Sequence, residues 1–174
     1  MALQEAAAEL AAPWIVGGKI FDLKGREERG PRRRELTLWR ALTSFMGVNT
    51  WTLERTPPPD DPVDMDVISG AFFLISKESF ETLNGFDEGY FLHVEDIDLC
   101  VRCRRAGGTV RYQPHAGALH YGSTSDAPSR VVAQHKAHSF ARYFRKRVRG
   151  PIHKLITEAM LPFIRAALLA RARD

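Results

Sequence analysis

Cysteine is scarce in this 174-residue chain, and neither sign of charge dominates it. Cys100 and Cys103 stand three apart with no second pair to complete a zinc shell, and their Arg-rich surroundings suit a redox CxxC poorly. They read as free thiols on a packed helix face, in a reducing cytoplasm. With 25 Lys and Arg against 21 Asp and Glu, the formal charge is only +4, too small a surplus to argue for nucleic acid. The stacking-aromatic motifs of RNA-binding modules are missing as well. No run approaches the ~18 apolar residues of a membrane span. The first residues lack the basic-then-apolar pattern of a secretion signal, and no repeat or low-complexity tract is found.

What is there looks like one ordinary globular core: 44% of residues are hydrophobic and 26% charged. Residues 2–12 are strong helix formers ahead of Pro13. "WIVGGKIFDLKGRE" reads as strand, two glycines, more strand and a turn at Asp22–Gly25. A basic loop, "RGPRRR" at 29–34, leads into a short amphipathic helix, and "TPPPDDP" is a stiff connection. "VDMDVISGAFFLISK" is a buried strand interrupted at Ser69-Gly70-Ala71. Ser76 can cap a helix over 77–83 closed by Asn84-Gly85, and a second helix over about 95–106 ends at Gly107-Gly108. The short strands "TVRYQ" and "GALHY" follow, and from Ser129 the chain is helical and basic. Strands and helices mixed in this order indicate α/β, with a boundary predicted between 1–127 and the C-terminal helices of 128–174.

Three carboxylates, Glu95, Asp96 and Asp98, crowd the head of the predicted 95–106 helix, just after the apolar Tyr90-Phe91-Leu92. One explanation is structural. Acids in a first turn are stabilised by the helix dipole by ~0.3–1 kcal/mol each, and Asp98 can form a surface ion pair with Arg102 four residues on. The other is catalytic. Adjacent carboxylates walled off from water have one pKa raised, which suits a general base. Spacing alone leaves both open.

The stretch from Ser69 to Ser125 closely resembles the C-terminal half of bacterial family 2 glycosyltransferases, in the rhamnosyltransferase-like branch. The resemblance rests on "SGA" at 69–71, "GFDE" at 85–88, Phe91, "ED" and "DL" within 95–99, Arg102, "AGG" at 106–108, Pro114 and His120. It implies an inverting transfer from a nucleotide sugar to a glycan or lipid-linked acceptor, in cell-envelope or surface polysaccharide synthesis. By the same resemblance Asp96 is the base that deprotonates the acceptor hydroxyl, with Glu95 as its partner. Ser69, Gly70, Ala71, Asp87 and Arg102 fall at substrate-binding positions, and His120 is a metal ligand for Mn²⁺ or Mg²⁺.

The family's nucleotide-binding first half, with its D-x-D, has no counterpart here. Asp64-Met65-Asp66 and Asp96-Ile97-Asp98 are not assigned that role. The expectation is a partial GT-A α/β domain that lacks the nucleotide-binding strands and is inactive alone, awaiting an N-terminal half or a second copy. The alternative is a non-catalytic glycan- or partner-binding module.

The basic run "ARYFRKRVRG" at 141–150 precedes Pro151, which can start a helix. Ile152, Leu155, Ile156, Ala159, Met160, Phe163, Ile164, Ala167 and Leu168 then share one apolar stripe, with Thr157 off it and Pro162 as a bend. The stripe can pack on the domain or on another copy. It can also lie on the inner membrane, which would make 141–172 a peripheral contact of a cytoplasmic protein.

Overall fold

The computed structural model describes residues 2–28, 30–48, 51–53, 57, 59–121 and 128–172. Helix α1 (Ala2–Ala7) stops well before Pro13, shorter than its helix-forming composition predicts. Strand β1 (Trp14–Phe21) is unbroken. Its two glycines do not interrupt it; they admit neighbours. A Cβ on Gly17 would lie 2.6 Å from the Ile68 side chain, and one on Gly18 would lie 2.5 Å from the Ala116 carbonyl oxygen. The turn forms as predicted, with the Asp22 carboxylate accepting from the N–H groups of Lys24 and Arg26.

Strand β2 (Arg32–Arg33) is short, and α2 (Leu38–Phe45) is capped by Thr37, whose hydroxyl accepts from the Arg40 N–H. The strand predicted over 63–77 breaks at 69–71 as expected and once more at 65–66, giving β3 (Val63–Asp64), β4 (Val67–Ile68) and β5 (Phe73–Ile75). Each pairs with a different partner, so the chain leaves the ladder at Asp66 and again at the 69–72 bend. Ser76 caps α3 (Lys77–Thr82), and Asn84 and Gly85 close it in the left-handed region at φ 55 and 62.

Helix α4 (Glu95–Arg105) and strand β6 (Thr109–Leu119) follow. β6 is one extended segment, but its pairing with β1 jumps from Gln113 to Gly117, so residues 114–116 bulge out of the ladder between the two stretches that were predicted as separate strands. One sheet has the order β3-β6-β1-β5, with β1 and β6 parallel and the outer pairs antiparallel; β2 and β4 form a second, two-stranded sheet. The α/β class read from the sequence is what folds. Helices α5 (Ser129–Arg145) and α6 (Pro151–Arg171) complete the chain.

The chain forms two compact units, neither of them a single segment. The first comprises residues 1–35, 53–87 and 96–124, and the second 36–52, 88–95 and 125–174. The first unit's core is Ile15, Val16 and Ile20 of β1, Val67 and Ile68 of β4, Leu99 and Val101 of α4, and Val110 and Tyr112 of β6, all buried. Each such aliphatic side chain contributes about 1.5–3 kcal/mol by leaving water. Arg32 lies in this core too, its guanidinium 5.4 Å from the Tyr112 ring centre, so this residue of the predicted basic loop is buried.

In the second unit, Phe140, Tyr143 and Phe144 of α5 and Leu161, Ile164 and Leu168 of α6 are buried. Arg171 donates to the Phe45 carbonyl at the end of α2. The apolar stripe predicted for α6 packs inward only in part: Ile164 and Leu168 are buried, but its other large members are not. Thr157, predicted to lie off the stripe, is fully buried with Leu161, Ile164 and Leu168, while Ile152, Leu155, Ile156 and Phe163 face solvent. α6 is apolar on two sides, and side-chain spacing could not say which side the unit would take.

Candidate active site

Asp96 stands one residue into α4, and its side chain is 16% exposed. Its Oδ2 accepts from the Arg33 guanidinium at 2.7 Å and from the Gly70 N–H at 3.0 Å, and its Oδ1 accepts from the Ile97 N–H at 2.7 Å. The aspartate is thus seated against the 69–71 bend in a small cleft floored by Ile15, Ile68, Phe73 and Leu99. Gly70 is what allows the approach, since a Cβ there would lie 3.0 Å from the Asp96 Cβ. The sequence reading gave the bulk-free bend to a substrate, but the atom it admits is Asp96. Ser69 steadies the bend by accepting from the Ala71 N–H; Gly70 and Ala71 are exposed.

Charge-assisted bonds from a guanidinium and a peptide N–H fix the carboxylate in one orientation. Oδ2 is filled by its two donors, while Oδ1 keeps a lone pair for a further hydrogen bond. A hydroxyl brought within about 2.6–3.2 Å could therefore pass its proton to it. Sequence reasoning missed Arg33 as the partner. Its only signal was the basic run at 32–34, and the carboxylate it meets lies 63 residues further on.

Glu95 opens α4 and is half-buried. The two residues before it, His93 and Val94, sit at φ 63 and 75. For a β-branched residue such as Val94 this is an outlier, and such strain collects at functional sites. In the same unit the Ser139 hydroxyl donates to the Leu92 carbonyl at 2.7 Å, and Phe91, 78% exposed, lies 4.4 Å from His135 ring to ring.

Asp98 is not half of a surface pair. It is fully buried, with Oδ2 2.8 Å from the Arg102 Nε. Arg102, predicted to meet substrate, also donates to the carbonyls of Leu83 and Gly85, stapling α4 to the turn after α3. Asp87, just past that turn, is half-exposed. Asp64 accepts from Arg111, and Asp66 accepts from the Glu35 N–H and pairs with Arg104, so both carboxylates of that D-x-D string are spent on ion pairs.

His120 follows β6, its Nδ1 3.4 Å from the Glu28 Oε1. A divalent cation takes about six ligands, and these supply two. Among the described residues no three His, Cys, Asp or Glu side chains converge to hold a metal. The residues present do not by themselves form a Mn²⁺ or Mg²⁺ site. The thiols are inert: burial pushes Cys100 up to about 12 and Cys103 up to about 11.

A sequence model described as "Glycosyltransferase like family 2" matches residues 51–151. The chain is 36% identical to the rhamnosyltransferase WbbL of Escherichia coli K12 over 110 residues, covering 62% of this chain and 41% of that protein. It is 31% identical over 147 residues to an N-acetylglucosaminyl-diphospho-decaprenol L-rhamnosyltransferase of Mycobacterium tuberculosis H37Rv, covering 78% of this chain and 47% of the other. The chain thus spans less than half the length of these relatives. A crystal structure of GalNAc-T7 with UDP, GalNAc and Mn²⁺ superposes at a TM-score of 0.40 and 15% identity, over 82% of this chain and 31% of that one.

Proposed function

The chain belongs to the glycosyltransferase-like family 2, and from that premise we propose that it forms the acceptor side of an inverting GT-A glycosyltransferase. The donor is a nucleotide sugar, with rhamnose the sugar its relatives' names suggest. The acceptor is a glycan or lipid-linked sugar of the cell envelope or surface polysaccharide. Asp96 takes the acceptor hydroxyl's proton as the oxygen attacks the anomeric carbon and the nucleoside diphosphate departs from the opposite face. Arg33 and the Gly70 N–H are positioning groups: they hold Oδ2 so that the base does not swing away. Glu95 contacts the acceptor beside it, and Ser69, Ala71 and Asp87 line its approach. Mn²⁺ or Mg²⁺ belongs to the reading as well, with His120 and Glu28 as two of the donors it would need.

One observation carries the proposal: the carboxylate at the family's base position is fixed against the 69–71 bend by a guanidinium and a backbone amide. The test joins this chain to a D-x-D-bearing half from a family member and measures transfer from a nucleotide-activated rhamnose to a polyprenyl-diphosphate-linked acceptor. Asp96→Asn is expected to lower the rate by about 10²–10⁴-fold. Full activity in that variant would remove Asp96 from the role. The proposal also places residues 141–172 as a peripheral contact with the inner membrane, on its cytoplasmic side. Among the described residues no helix is long and apolar enough to cross it.

A further inference from the structure

On one side of α6, Ile152, Leu155, Ile156, Ala159 and Phe163 follow the three-four spacing of a single helix face and are all exposed, the first two at 75% and 73%. From Ile152 to Phe163 this face runs roughly 17 Å. It lies away from Thr157, Leu161, Ile164 and Leu168, which fill the unit's interior. Exposed apolar strips of this kind mark a binding surface, and the charge around this one says what binds.

Residues 129–172 carry ten Lys and Arg against a single acid, Glu158, which Arg145 already pairs. Arg149 in the α5–α6 turn and Lys154 and Arg165 on α6 are exposed. A second copy seated face to face would bring two such cationic surfaces together, with one acid apiece to offset them. A layer of anionic headgroups over acyl chains complements both features at once. Each Lys or Arg gains near the headgroups, and the apolar side chains leave water at the acyl boundary.

We propose that the outer face of α6, led in by the basic α5–α6 turn, docks flat on an anionic lipid bilayer. This inference rests on the peripheral-contact reading above and names its surface and its lipid charge. It does not depend on Asp96.

The full chain is floated with vesicles of phosphatidylcholine alone and of phosphatidylcholine with phosphatidylglycerol, at low and high salt. It is expected to float with the anionic vesicles and to be released by salt. Leu155→Asp and Phe163→Asp, both at exposed positions, should each lower partitioning by about tenfold or more with the melting curve unchanged. Three results would overturn the assignment. One is no flotation with anionic vesicles. Another is flotation unchanged in both variants, or lost instead on Trp39→Ala, which removes a large exposed aromatic of α2 away from this face. The third is a concentration-dependent dimer in sedimentation that both variants abolish. Asp96→Asn should float like the parent chain, so failed catalysis and failed docking are read separately.

Discussion

Removing Asp98 should cost far more than removing an acid from a surface. Its carboxylate is fully buried and its partner Arg102 is three-quarters covered, with the guanidinium also bonded to the Leu83 and Gly85 carbonyls. Asp98→Ala leaves that cation facing a neutral core, and breaking a buried pair from one side costs about 3–5 kcal/mol. At about 2–4 °C per kcal/mol for a chain of this size, the melting temperature should fall by roughly 6–20 °C. Arg102→Met should cost at least as much, since it strands the carboxylate and two carbonyls together. The double variant should fall well short of the summed losses, with about 1–3 kcal/mol of coupling between neighbours in one network. Urea melts of the four proteins, followed by circular dichroism, measure the cycle. Losses below about 1 kcal/mol for both single variants would mean that water reaches the pair and that the staple argument is wrong. A normal melt with weakened acceptor binding in Arg102→Met would return that residue to substrate recognition.

Gly70→Ala puts a methyl 3.0 Å from the Asp96 Cβ. It should leave stability within about 1 kcal/mol, yet lower transfer by about ten- to a hundredfold in the joined-chain assay, since a displaced base loses reactivity steeply; an unchanged rate would show that the seat of Asp96 does not matter. The thiols give a pH prediction. Held at about 12 and about 11 against an ordinary thiol near 8.5, Cys100 and Cys103 retain protons in the folded chain that the unfolded chain releases. Their contribution to stability is therefore complete below about pH 8.5 and is lost as pH climbs through 9 to 12. A thiol reagent at pH 8 should leave both untouched until urea unfolds the chain, and prompt labelling of the native protein would contradict the burial.

What the sequence made legible was local. The cap at Ser76, the stop at Asn84-Gly85 and the limits of α4 depend on residues within a turn of one another, and they appear where predicted. The proximity of Asp96 to the 69–71 bend followed from the family resemblance alone. What stayed hidden depends on distant partners. Arg32 and Arg33 read as a solvated basic loop because nothing nearby announces Tyr112 or Asp96. Asp98 read as a surface acid because an i,i+4 pair looks alike wet or dry. The break at 69–71 was legible from its small residues, but the earlier split between β3 and β4 was not, because β3 pairs with β6 and β4 with the distant β2.

The second unit is assembled from 36–52, 88–95 and 125–174, with the first unit's segments threaded between them. No single scission yields either unit whole. A shortened gene ending near residue 127 would strand the Tyr90–Leu92 stretch without Arg142 and Ser139, the α5 groups it rests on. Domain shuffling and limited proteolysis alike should find this chain indivisible, because its two halves can be inherited only as one piece.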